Sequence, residues 1–201
     1  MDTALHRIDV GELLHDSSGS TSGSIAVVVP RIEVFGICEH EGRVRDLVLG
    51  LKYASDKHAA VHLAEIVATA VRSEIVTRDI ARVTWAPTTD ARRNAREFDH
   101  AEMIARHVGA MCGLRTHRLL RRTNTGSQTD SSRAERLSRP EFVARPGVRG
   151  HVMVIDDVVT TGATFVAAAR ALVIAGASAV TCIAPSWTPH QRRVSRSRPP
   201  R

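Results

Sequence analysis

Residues 152–176 read VMVIDDVVTTGATFVAAARALVIAG, and their pattern decides the fold. Val152, Met153, Val154 and Ile155 form an unbroken apolar run, as expected for a strand buried on both faces in a parallel sheet. Two adjacent acids follow, Asp156 and Asp157, then Val158 and Val159, then the small-residue bend Thr160, Thr161, Gly162, Ala163, Thr164. From Phe165 to Ala175 the chain is alanine-rich and apolar over a helical length, with Gly176 placed to end it. A helix start leaves amides unpaired and carries partial positive charge, so an anion settles there. Gly162 lets backbone amides approach a phosphate closely, and the threonine hydroxyls add donors without bulk. Carboxylates repel phosphate, so Asp156 and Asp157 suit sugar hydroxyls or the neighbourhood of a metal ion. The same residues also suit an ordinary capped strand–loop–helix connection. The order of buried strand, paired acids, bend and helix favours the anion site.

Outward from this stretch the alternation continues. Val83 to Ala86 reads as a strand closed by Pro87, and a polar loop over 88–96 follows it. Arg92, Arg93 and Arg96 in that loop make it a second place for an anion. Periodicity predicts a helix over 98–112, a short strand over 117–120 and a last strand over 179–184. Such alternation predicts a parallel α/β sheet with right-handed crossovers and site loops at the carboxyl ends of its strands. Upstream, strands are predicted over 25–29 and 32–37. Val44, Leu47, Val48 and Leu51, then Ala59, Leu63, Ile66, Val67, Ala70 and Val71, mark two amphipathic helices. These make a small N-terminal strand/helix subdomain leaning on the main sheet. Residues 1–24 read as a flexible N-terminal segment, with SSGSTSGS at 17–24. Residues 121–147 keep no period, and a loop of that length is either functional or disordered. Its Arg121, Arg122, Arg133, Arg136 and Arg139 suit closure over an anionic ligand. Residues 187–201 read as a basic disordered tail.

The chain has 201 residues, 43% of them hydrophobic, enough for one domain with a real core. Aromatics are only 3%, so that core is built from Ala, Val, Leu and Ile. A net charge of +7 fits polyanionic ligands, whether a pyrophosphate substrate or nucleic acid. Cys38, Cys112 and Cys182 are dispersed, odd in number and without CxxC spacing, which argues against a disulfide framework and a structural zinc site. No signal-peptide core and no apolar run near ~20 residues is present, so a cytoplasmic protein without a membrane span is expected.

The run from Ile155 through Asp156, Asp157, Val158, Val159, Thr160, Thr161, Gly162 and Ala163 to Thr164 resembles the phosphoribosyl pyrophosphate (PRPP) motif of type I phosphoribosyltransferases. That resemblance implies that Asp156 and Asp157 hold the ribose 2′- and 3′-hydroxyls while Val158, Val159 and the bend through Thr164 form the loop around the 5′-phosphate. Leu51-Lys52-Tyr53, Arg96-x-Phe98, Arg121 to Gln128 with Arg133, and Glu141-Phe142 resemble the competence protein F (ComF) family of phosphoribosyltransferase-like proteins. The likeness spans roughly residues 40–186, making 25–186 a phosphoribosyltransferase-like domain. The family commonly begins with a Cys-rich zinc ribbon, whereas this chain has only Cys38 there, and no zinc is expected. The family's Arg-Gly-Phe-Asn-Gln run appears as Arg96-Glu97-Phe98-Asp99-His100, which puts negative charge near a pyrophosphate-facing loop.

The resemblance implies displacement of pyrophosphate from the ribose anomeric carbon by an acceptor, with Mg²⁺ entering on PRPP rather than on protein ligands. Arg92, Arg93 and Arg96 are then the pyrophosphate-side candidates. Purine-salvage members of the superfamily usually carry an Asp two residues before the loop glycine. Here that residue is Thr160, which cannot act as a base near neutral pH, so hypoxanthine or guanine salvage is disfavoured. Three readings stay open: a transferase with an unidentified acceptor, a non-catalytic protein of DNA uptake or processing, and a PRPP sensor. Single-stranded nucleic acid and a second copy of the chain stay open as partners. With few aromatics, nucleic-acid binding would be electrostatic and salt-sensitive.

Overall fold

The structure, a computed structural model, describes residues 5–11, 30–54, 56–73, 79–88, 98–123 and 141–189. Among the described residues, eight strands and four helices run in the order β1 (His6–Arg7), β2 (Arg31–Glu39), α1 (Gly42–Tyr53), α2 (Lys57–Ser73), β3 (Ile80–Trp85), α3 (His100–Cys112), β4 (Leu120–Thr123), β5 (Glu141–Ala144), β6 (His151–Ile155), β7 (Val158–Val159), α4 (Ala163–Ile174) and β8 (Ala179–Trp187). The main sheet has the order β1-β2-β8-β6-β3, with β7 also pairing with β8. Every pairing in it is parallel except that of β1 with β2. The expected mainly parallel sheet flanked by helices is therefore present.

Both faces of the sheet are dry, and a period of two sorts the side chains between them. On β6, Met153 and Ile155 face a cluster that includes Val48, Leu51, Leu63, Val67 and Ile104 of the first three helices. Val152 and Val154 face the opposite cluster, with Phe165, Ala169 and Leu172 of α4. All five residues of β6 are buried, which is why the sequence there is apolar without alternation. Fully buried side chains such as Phe165, Leu51 and Ile183 each contribute about 1.5–3 kcal/mol relative to exposure. Alanines at 64, 68, 168 and 169 are entirely covered, and they let helices approach closely in a core nearly free of aromatics.

Several boundaries differ from the sequence reading. The strand expected near 32–37 is not part of a satellite. It is β2, a nine-residue member of the main sheet running parallel to β8. Its expected partner at 25–29 lies outside the described residues. Residues 5–11, expected within a flexible segment, pair instead: β1 joins β2, Ile8 donates to the Val34 carbonyl at 2.8 Å, and Val10 is buried under α4. The two ends of the 121–147 stretch form an antiparallel ribbon of β4 and β5, with Leu120 opposite Ala144. Residues 124–140 lie outside the described part. β8 extends through Trp187, so the basic tail starts later than expected, and residues 190–201 also lie outside. Gly176 follows the α4 cap with φ +111°, and a Cβ there would meet the Val148 carbonyl oxygen at 2.5 Å, so glycine is required.

Candidate active site

The paired acids sit where β6 stops and β7 has not begun. β6 ends in register with Ile183 of β8, the Asp156 amide still reaches the Ile183 carbonyl at 3.4 Å, and the chain rejoins β8 at Val158 opposite Ser186. This break lies at the carboxyl end of the parallel strands. There the backbone is released from the ladder, and side chains can face a ligand. The Asp156 carboxylate accepts the Asp157 amide at 2.9 Å, which folds the turn onto itself. Desolvation of the Asp156 carboxyl raises its pKa well above the ordinary value. The Asp157 charge adds to that rise, while the backbone hydrogen bond and Lys52 oppose it.

Asp157 has a different partner. Its Oδ2 lies 2.9 Å from Lys52 Nζ, in an ion pair that joins the last turn of α1 to the β6–β7 break. Helical periodicity places Leu51 in the core, and the next residue, Lys52, comes out at the rim of the cavity.

Beyond β7 the bend takes the form the sequence predicts. Gly162 has φ +79° and caps α4 without a side chain of its own, while its carbonyl accepts the Val166 amide at 2.9 Å. Thr161 Oγ1 accepts the Ala163 amide at 3.3 Å. A Cβ on Gly162 would come within 2.7 Å of Val10 Cγ1, so the N-terminal segment packs against the outside of the bend. Val10 is not among the residues lining the cavity described next.

A cavity of about 500 Å³ gathers these groups. Asp156, Asp157, Val158, Thr160 and Thr164 line one side of it, and His40 and Lys52 another. The end of β3 and the start of α3 supply Thr88, Phe98, Asp99 and His100, and β4 supplies Arg122. Val159, Thr161, Gly162 and Ala163 do not line it. Val159 is buried in the sheet, and the other three form the bend and the start of α4. Arg92, Arg93 and Arg96 fall outside the described residues.

Asp99 has a structural part that its charge did not reveal. It lines the cavity and is also the N-cap of α3. Oδ1 accepts the Ala101 and Glu102 amides at 3.2 and 3.5 Å, and Oδ2 accepts the Thr88 amide at 3.0 Å. It thus clamps the β3 exit to the helix start, as an N-cap acid does, even though burial raises its pKa.

Sequence reasoning assigned no role to His40, Lys52, Thr88 or Thr188, all of which line the cavity. Only Lys52 carried a signal, through the Leu51-Lys52-Tyr53 tripeptide. Among the described residues no cluster of three or more His, Cys, Asp or Glu could hold a metal ion. No described helix is long and apolar enough to cross a membrane.

No family model matches the chain, and no curated protein matches it. Among solved structures, the chain is similar to an adenine phosphoribosyltransferase from Leishmania donovani. The two share 11% identity over 80% of this chain and 85% of that one, with a TM-score of 0.44. It is also similar to a Trypanosoma cruzi hypoxanthine phosphoribosyl transferase, at 10% identity over 66% of this chain and 73% of that one, with a TM-score of 0.37.

Proposed function

We propose that the chain binds PRPP and transfers its phosphoribosyl group to an acceptor with release of pyrophosphate, as a ComF-type member of the type I phosphoribosyltransferases. The observation that carries this reading is the convergence of Asp156, Asp157, Thr160 and Thr164 on one cavity at the carboxyl end of a parallel sheet. The two acids can accept hydrogen bonds from a cis-diol, and the open N-terminus of α4 with its threonines can take the 5′-phosphate. Lys52, Arg122 and the loop bearing Arg92, Arg93 and Arg96 supply positive charge for the pyrophosphate.

The donor chemistry fits Mg²⁺ brought in by its substrate. Asp156 and Asp157 would stand behind the diol, and among the described residues no His, Cys, Asp or Glu cluster offers a protein cage, so the ion would be held mainly through the substrate. When bound, the ion neutralises charge that develops on the leaving pyrophosphate. The chain's own part is to hold the ribose against the two acids and fix the phosphate in the bend. That orientation exposes the anomeric carbon to an acceptor in the remaining volume.

Isothermal titration of PRPP with Mg²⁺ tests the reading. Binding in the micromolar range, lost in Asp156→Ala/Asp157→Ala, is the expected result, followed by pyrophosphate release when an acceptor is present. Binding that survives the double substitution overturns it. Binding without release under any acceptor makes the protein a PRPP sensor.

A further inference from the structure

Transfer to an N–H or O–H acceptor releases a proton, and the bend residue at the position of the purine-salvage base is Thr160, which cannot take it. The other groups lining the cavity are committed. Asp156 and Asp157 are assigned to the diol, Asp99 spends both oxygens on backbone amides, and Lys52 is a paired cation. His100 is buried, with its ring edge-on to Phe98.

His40 is placed differently. It follows β2 at the same end of the sheet, half-buried on the cavity wall, and its amide donates to the Trp187 carbonyl at 2.7 Å. Its Nδ1 lies 2.9 Å from Ser186 Oγ, and Ser186 is wholly buried on β8. A buried hydroxyl demands a partner, so this bond fixes the ring. Among the described residues nothing else bonds to the imidazole, which leaves Nε2 to the cavity. The groups facing the ring are Arg45 and Lys52 from α1, Asp157 from the β6–β7 break and Ser186 from β8. Burial, then Lys52 and Arg45, hold its pKa below the ordinary value against the pull of Asp157, so the ring is neutral at pH 7.

We propose that His40 is the proton acceptor of the transfer, with Nδ1–H donated to Ser186 Oγ and the Nε2 lone pair facing the attacking group. As the acceptor atom bonds to the anomeric carbon, the bond from that carbon to pyrophosphate breaks and its electron pair leaves with pyrophosphate. The acceptor's proton passes to Nε2 and from there to solvent. A base held by a third group is the usual arrangement for activating a nucleophile. The role rests on the PRPP reading given above.

The probe reaction is release of pyrophosphate from Mg²⁺–PRPP with water as acceptor, alongside titration calorimetry and ¹⁵N-histidine NMR of the wild type. His40→Gln is expected to bind PRPP within twofold of wild type. Its release should be about 100-fold slower, and it should lose the fall in rate that wild type shows on acidification. The NMR should show a neutral Nδ1–H tautomer at pH 7. Failure of wild type to bind PRPP overturns the reading beneath, and this role with it. Intact binding with a His40→Gln rate within twofold of wild type, or an Nε2–H tautomer, overturns the His40 role alone. Binding without release at any pH, with water or with any added N–H or O–H acceptor, removes the transfer and the role together.

Discussion

Lys52 Nζ lies 2.9 Å from Asp157 Oδ2, so an amino group from the end of α1 neutralises one of two adjacent carboxylates at the break between β6 and β7. The pair is a quarter exposed on the lysine side and less on the aspartate side, so water weakens it. Its worth to folding is about 1 kcal/mol, at the upper end for exposed pairs. Its larger consequence concerns Asp156, whose buried carboxyl would feel an unopposed neighbouring charge without Lys52.

Lys52→Met should therefore lower stability by about 1 kcal/mol and weaken PRPP binding at least tenfold. Urea denaturation of Lys52→Met, Asp157→Asn and the double variant checks this. A double variant whose loss equals the sum of the singles would show that the two groups do not interact.

Asp156→Asn should separate function from stability. The native carboxyl is held well above its ordinary pKa by desolvation and by the Asp157 charge, so ionising it costs the folded state more than the unfolded one. The amide variant is expected to be more stable at pH 7 by about 1 kcal/mol, and to bind PRPP far more weakly. The gain should shrink as pH falls toward the carboxylate range, because the wild-type acid then binds its proton in the folded state.

Gly162→Ala is expected to cost about 1–2 kcal/mol, since φ +79° is disfavoured for any residue with a Cβ. The new methyl also meets Val10 Cγ1 at 2.7 Å. Adding Val10→Ala should relieve the contact but not the dihedral, giving partial recovery in thermal unfolding. Binding of ribose 5-phosphate should fall in both variants.

His151 sets a stability limit away from the site. Its Nε2 lies 2.8 Å from Thr181 Oγ1 inside the sheet, and burial, then Arg31, hold its pKa below the ordinary 6.5 against Asp79 and Glu33. Above 6.5 the ring is neutral in both states. Below it the unfolded chain takes up a proton that the folded one resists, so stability falls on acidification toward the lowered value. The slope is up to about 1.4 kcal/mol per pH unit over that window. His151→Gln should flatten this decline in urea midpoints measured from pH 7.5 to 5.5. Asp99 and Asp156 titrate in the opposite sense in both proteins, and they cancel in the comparison.

The N-terminal strand shows how far a linear reading reaches. A strand over 32–37 was legible, but neither its full length nor its place was, because β2 pairs in parallel with β8 at the far end of the chain. Parallel pairing leaves no turn signal between the partners. Asp99 shows the reverse case: its charge was legible, and only its three backbone amide partners reveal a cap.

The stretch over 152–176 determined by itself the buried strand, the paired acids, the glycine bend and the helix after it, because each depends on neighbours a few residues away. That local grammar carries the expectation of a phosphate and a diol. Only tertiary structure decided that Lys52 and His40 reach the same cavity, and that Val159 is spent on packing. Those placements follow from helix phase and strand order, which bring together residues with no periodic relation in the chain.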